Sequence, residues 1–135
     1  MTKRTNPDPV IYLAAPYTHK TNWKRGARAY ETARLQRKMT EHDALVYNSV
    51  WIGHKMSVDT AIGDDRYWRV FGVTMLERCD ALLILELDGW EESAGIAEEI
   101  KFAQAHDIPI YHIGKDYSDH DVWRTTAQIN DDFFV

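Results

Sequence analysis

Short apolar runs that alternate with longer helical patterns predict an α/β fold, a three-layer sandwich on a mainly parallel sheet. The first observation is the run Ala81 to Leu85 (ALLIL), too short for a helix and unbroken like a strand covered on both faces. The second is the turn and helix directly after that run. Asp88-Gly89 is a turn signal, and Ser93 then opens a helical pattern with Ile96, Ile100 and Ala103 on one face. The third is that the strand-then-helix pattern recurs along the chain, which favours parallel strands joined by right-handed crossovers.

In chain order, residues 1–9 are polar, carry Pro7 and Pro9, and read as a short flexible arm. Val10 to Ala15 (VIYLAA) is the first strand, ended by Pro16 and a loop through Lys20. Thr21 or Asn22 caps a long helix to about Thr40. Ala27, Ala29, Ala33, Leu35 and Met39 pack it on the sheet, and its Lys and Arg residues face water. Ala44 to Asn48 is the second strand. Ser49 to Asp65 has no clean period, and a loop of that length in a small domain is usually functional or partly helical. Arg66 to Arg78 is helical, with Trp68, Phe71, Gly72, Met75, Leu76 and Cys79 on one side and Arg66, Arg69 and Glu77 on the other. After the strand at Ala81 and the helix from Ser93, Pro109 to Ile113 is a further strand. Asp121 to Gln128 is a short helix, and the closing FFV is expected to pack. Four strands are expected, with a fifth left open, in the flavodoxin-like order 2-1-3-4.

With 135 residues, the chain is expected to form one domain. A hydrophobic content of 44% supports a proper core, and 27% charged residues fit a soluble globule. No apolar run approaches a membrane span, and the amino terminus lacks a signal-peptide apolar region, so a cytoplasmic protein without a membrane partner is expected. The net charge of −5 gives no electrostatic footprint for wrapping nucleic acid, although a local cradle can still hold a small anion. Cys79, the only cysteine, reads as a small core residue. Five tryptophans and seven tyrosines are many for this length, and some should line a cleft or a subunit contact.

In a parallel sheet of this order, ligands bind at the carboxyl ends of the strands where the strand order reverses. That point lies between Ala14-Ala15-Pro16-Tyr17 and Asp88 to Ser93. The Ser93 hydroxyl and the first backbone N–H groups of its helix make an anion cradle there, and Gly95 allows close approach. At 100° per residue, Glu99 lies about 60° from Ile96 on the flank of the buried face, and Glu98 about 160° away, toward solvent. On that segment alone, a pair of ordinary surface acids is the slightly better reading. The topology favours a site, because it brings the two unusual loops together.

Common alternatives fail. No Gly-x-Gly-x-x-Gly occurs after the first strand, and no Gly-Lys-Ser/Thr phosphate loop is present. The six histidines lack the paired helical spacing of a zinc hydrolase, so no metal and no cofactor are expected; His54, beside Trp51, is the one to watch. No nucleophile elbow surrounds Ser93. A carboxylate near a phosphate-sized cradle with aromatic walls suits chemistry at a sugar anomeric carbon, whose oxocarbenium-like transition state needs a negative group beside it. Tyr12 and Tyr17 could contact the carboxylate or the base, and Tyr12 reads equally as a core tyrosine.

YLAAPYT at 12–18, with NSVWIGH, DDRYW, LERCD and then LDGWEESAGIAEEI, resembles the nucleoside 2-deoxyribosyltransferase-like superfamily over about Val10 to Ile113. Within it, the chain looks like a small uncharacterised phage and bacterial branch. The resemblance implies that Glu99 is the nucleophile of N-glycosidic cleavage. It also implies that Ser93, where the deoxyribosyltransferases carry aspartate and the 5′-monophosphate N-glycosidases carry serine, holds phosphate. Tyr12, Pro16, Tyr17 and Gly95 would then contact substrate, a nucleotide, within a homodimer. The superfamily usually has an aspartate where this chain has Gly72. Asp64 or Asp65 is expected to substitute, with His54 and Trp68 as further site candidates, or the chain binds nucleotide without turnover.

Overall fold

The computed structural model describes residues 8–57 and 63–133. Residues 1–7 of the expected arm, Asp59, and the terminal Phe134 and Val135 lie outside them. Pro9 is buried, so it is not part of a flexible arm.

The elements run β1 (Val10–Ala14), α1 (Asn22–Thr40), β2 (Leu45–Asn48), α2 (Ser49–Met56), α3 (Asp65–Glu77), β3 (Ala81–Glu86), a 3-10 turn (Trp90–Glu92), α4 (Ala94–Ala105), β4 (Ile110–Gly114) and α5 (Asp119–Phe133). The four strands form one parallel sheet in the order β2-β1-β3-β4. The architecture is a flavodoxin-like three-layer sandwich, and no fifth strand is present among the described residues.

The alternation along the central strands sorts the core. Ile11, Leu13, Leu83 and Leu85 face α1 and α5 through Leu35, Met39, Val122 and Ile129. Tyr12, Ala14, Leu82 and Ile84 face α3 and α4 through Leu76, Ile96 and Ala103. Successive side chains of a strand point to opposite faces, so a strand covered on both sides must be apolar throughout. Cys79 packs in the second half of this core, and burial pushes its thiol up to about 11, as suits a small core residue.

The stretch after β2 is partly helical, one of the two readings its sequence allowed, from Ser49 to Met56: buried Asn48 ends β2 and caps α2, its side chain accepting from Trp51 N at 3.0 Å. Asn48 also donates to buried Thr32 on α1 at 2.9 Å, which ties α1, β2 and α2 at one point. The last helix is longer than expected, and its final residue, Phe133, is exposed rather than packed. Ala27 is exposed, while Lys24, Arg25 and Arg28 are half-buried rather than facing water. The first turns of α1 overhang the carboxyl edge of the sheet, where loop carbonyls lack strand partners. Arg28 fills that role, donating to the carbonyls of Thr18 at 2.9 Å and Asp88 at 3.1 Å. One guanidinium thereby braces the loops after β1 and β3, which flank the point where the strand order reverses.

Candidate functional site

Tyr12 belongs to the core and also reaches beyond it. Its ring is buried on β1, packed 5.6 Å from the ring of Tyr47. Its hydroxyl interacts with Glu99 on α4 and with Ser49 at the start of α2. Gly72 on α3 completes the surround, since a Cβ there would stand 3.2 Å from the Tyr12 hydroxyl oxygen. Four elements thus converge on one phenol. Burial, with the charge of Glu99 and the hydrogen bond to it as the next largest causes, holds the Tyr12 proton far above its ordinary range. The phenol therefore stays a donor.

Glu99 is half-buried and Glu98 exposed, as the helix geometry requires. Burial pushes the Glu99 carboxyl up to about 7. The hydrogen bond from Tyr12 favours the ionised form and opposes that rise, while the charge of Glu98 adds to it. Carboxyls shifted this far cluster at functional sites, which makes Glu99 a candidate.

Ser93 caps α4. Its hydroxyl oxygen accepts from Ile96 N at 3.3 Å, which leaves the hydroxyl proton free to donate and the N–H groups of Ala94 and Gly95 without helical partners. Both Ala94 and Gly95 are exposed, and a Cβ on Gly95 would meet only the Ser93 hydroxyl, at 3.9 Å. The helix start is therefore open to an anion. Glu99 lies six residues further on, a rise of about 9 Å along the helix.

Tyr17 and His54 form a second pair. The Tyr17 hydroxyl lies 2.8 Å from His54 Nδ1, with the rings edge to face at 5.7 Å. Burial raises the Tyr17 phenol, and Arg25 moderates the rise. Trp51 flanks His54 at 6.2 Å, and Gly26 of α1 lies against its imidazole. Buried Pro16 turns the chain from Tyr12 to Tyr17. Trp68 on α3 packs toward Gly53 of α2, with its ring tilted against Tyr67 and edge to face with Phe71.

The structure therefore gathers Tyr12 with Glu99, Tyr17 with His54, and Ser93 with Gly95. It does not draw Asp64 or Asp65 into these groups. Asp64 caps α3 through Tyr67 N at 2.8 Å, and Asp65 is an exposed acid in the first turn of that helix. Sequence reasoning missed Ser49, Asn48 and Arg28. Asn48, which bonds Thr32, and likewise Ser49 and Arg28 depend on contacts made only in the folded chain. A separate cleft of about 640 Å³ opens between Glu86–Glu92, the end of β4 and Arg124, and touches neither Tyr12, Ser93 nor Glu99. Among the described residues, no group of three His, Cys, Asp or Glu could hold a metal ion, and no helix is long and apolar enough to cross a membrane.

Fold and geometry together define a flavodoxin-like α/β protein whose distinctive side chains collect at the carboxyl edge of the sheet. The chain belongs to the family described as Domain of unknown function (DUF1937), whose sequence profile matches residues 9–115. The match spans all four strands and ends at the close of β4, so every residue of the candidate site falls inside it. Among curated proteins none matches the chain.

Proposed function

We propose that this protein cleaves the N-glycosidic bond of a (deoxy)nucleoside 5′-monophosphate, by hydrolysis or base exchange, with Glu99 as nucleophile. The observation that carries the reading is the half-buried Glu99 carboxyl, raised to about 7 and held by the buried Tyr12 phenol. The resemblance to the nucleoside 2-deoxyribosyltransferase-like superfamily supports the same assignment.

In the ionised form the Glu99 carboxylate attacks the anomeric carbon while the bond to the base nitrogen breaks. The base leaves with the electron pair and takes up a proton. Water, or the nitrogen of a second base, then displaces the carboxylate from the sugar. Tyr12 orients the carboxylate, and its low-dielectric surroundings strengthen that hydrogen bond. Ser93 and the start of α4 hold the 5′-phosphate, at a separation from Glu99 that suits a sugar phosphate. Pro16, Tyr17 and Gly95 contact the substrate around it; His54, through Tyr17, and Trp68 border the base. We place the activity in a cytoplasmic homodimer that needs no cofactor.

Gly72 favours a second reading, a nucleotide-binding module without turnover. No side chain from that position reaches the Tyr12 hydroxyl, and Asp64 and Asp65 stand elsewhere. A screen of nucleoside 5′-monophosphates for free-base release separates the two. Release that depends on Glu99 establishes the enzyme; tight nucleotide binding with no release establishes the module.

A further inference from the structure

A departing base needs a proton that Glu99, attacking as a carboxylate, does not carry. The acid that supplies it must stand across the sugar from the nucleophile, because attack and departure take opposite sides of the anomeric carbon. The sheet order β2-β1-β3-β4 provides that separation. α4, with Glu99, follows β3, and α2 follows β2, so the two helices flank the carboxyl end of β1 from opposite sides.

Most polar groups at this edge are committed. The Tyr12 hydroxyl is buried and turned to Glu99 and Ser49. The Ser93 hydroxyl caps α4 at the proposed phosphate position. His19 is bonded through Nδ1 to Thr21 N at 3.1 Å and to Thr21 Oγ1 at 2.9 Å. Asp64 caps α3, and Gly72 offers no side chain. Tyr17, on the loop that leaves β1, and His54, on α2, remain. Both are half-buried, so each keeps accessible surface while bonded to the other.

The Tyr17 hydroxyl lies 2.8 Å from His54 Nδ1. At that distance a phenol and an imidazole exchange roles with the proton count. A neutral ring with a bare Nδ1 accepts the phenol proton. An imidazolium instead donates from Nδ1 to the phenol oxygen and leaves the phenol proton for another acceptor. Burial raises the Tyr17 phenol and Arg25 moderates the rise; a hydrogen bond donated to the phenol oxygen acts in the same sense as Arg25, since it favours the phenolate. The pair is held in place. Its rings meet edge to face at 5.7 Å, Trp51 stands 6.2 Å from the imidazole, and α2 is anchored by the Asn48 cap and the bond from Asn48 to buried Thr32.

We propose that Tyr17 is the general acid of the reaction and gives its hydroxyl proton to a ring nitrogen of the departing base, with His54 as the positioning residue behind it. The proposal rests on the reading of Glu99 as a glycosidic nucleophile and names the acid which that reaction needs. As the bond from the anomeric carbon to the base breaks, its electron pair leaves with the base and takes the proton from Tyr17 Oη. The phenolate oxygen takes the Nδ1 proton of the His54 imidazolium. The neutral imidazole then recovers a proton from solvent.

Two kinds of leaving group on one sugar phosphate test it. The common deoxynucleoside 5′-monophosphates carry bases that need the proton, whereas the β-4-nitrophenyl glycoside of 2-deoxyribose 5-phosphate releases a phenolate that is stable without one. Tyr17→Phe should lower kcat for base release at least about a hundredfold and change nitrophenolate release by no more than about threefold. His54→Asn, whose amide keeps a hydrogen-bond partner near Nδ1 but has no proton to pass on, should lower base release about tenfold and leave nitrophenolate release unchanged. Both variants should melt with the natural chain. Equal losses with both leaving groups, in either variant, overturn the proposal, since the pair then only holds the loop to α2. Base release at the natural rate by Tyr17→Phe overturns it as well. In both cases nitrophenolate release that still depends on Glu99 keeps the nucleophile and removes only the acid. Release of neither product by the natural protein overturns the glycosidic reading and the acid together.

Discussion

Glu99 and Glu98 are adjacent in sequence and differ in everything that matters for chemistry. Glu99→Gln should reduce base release by at least about a thousandfold, equivalent to about 4 kcal/mol of transition-state stabilisation. Glu98→Gln, on the exposed face, should change it by no more than about twofold, the scale of an ordinary surface substitution. A base-release assay on both variants checks the pair, and two fully active variants would end the nucleophile assignment. The raised carboxyl adds a pH dependence. Attack needs the ionised form, so kcat/KM should fall about tenfold per unit as pH drops below about 7, a profile readable from pH 5 to 9. Stability moves in the opposite sense. The folded state binds the Glu99 proton more tightly than the unfolded chain, so stability is full below about 4.5 and declines as pH rises to about 7. Glu99→Gln should remove that decline, and thermal melts at pH 5 and pH 8 would show it.

At the scale of elements, the start of α4 does two jobs with one hydroxyl. Ser93→Ala should cost about 1 kcal/mol of stability through the lost cap to Ile96 N. It should also weaken nucleotide binding more than nucleoside binding, because only the nucleotide brings a phosphate to the helix start. Equal weakening of both ligands in calorimetry would count against the phosphate role. On α3, Gly72→Ala sets two effects against each other. Alanine favours the helix by up to about 1 kcal/mol, whereas its Cβ would crowd the Tyr12 hydroxyl at 3.2 Å. The expected result is a melting temperature close to that of the natural chain with reduced base release. A variant that is both as stable and as active would show that the phenol has room to move.

For the molecule as a whole, the sheet buries its central strands on both faces and leaves several large aromatics outside. Trp23 is 72% exposed, Tyr30 60% and Trp123 53%. Tyr67 is also exposed, next to half-buried Trp68 and Phe71 on α3. Aromatic residues are enriched at subunit contacts. The proposed homodimer should appear in sedimentation equilibrium at micromolar concentration, and a monomer throughout that range would remove the argument.

The order of strands and helices arises from local pattern alone. Unbroken apolar runs, the Asp88-Gly89 turn and the Ser93 cap are short-range signals, and the period of α4 is enough to separate Glu99 from Glu98. Periodicity identifies a buried face without saying what lies opposite it, and there the tertiary structure decided. Asn48 became a cap because Thr32, sixteen residues earlier, waits beside it in the core. Arg28 looked like a solvent-facing helix residue and instead holds two loops that lie far apart in sequence, because their carbonyls have no strand to bond. The surround of Tyr12 is the clearest case. Its hydroxyl meets Ser49, Gly72 and Glu99, three residues from three separate helices, and no spacing along the chain encodes that meeting. It arises because a parallel sheet with helices on both faces delivers the ends of distant elements to the same edge.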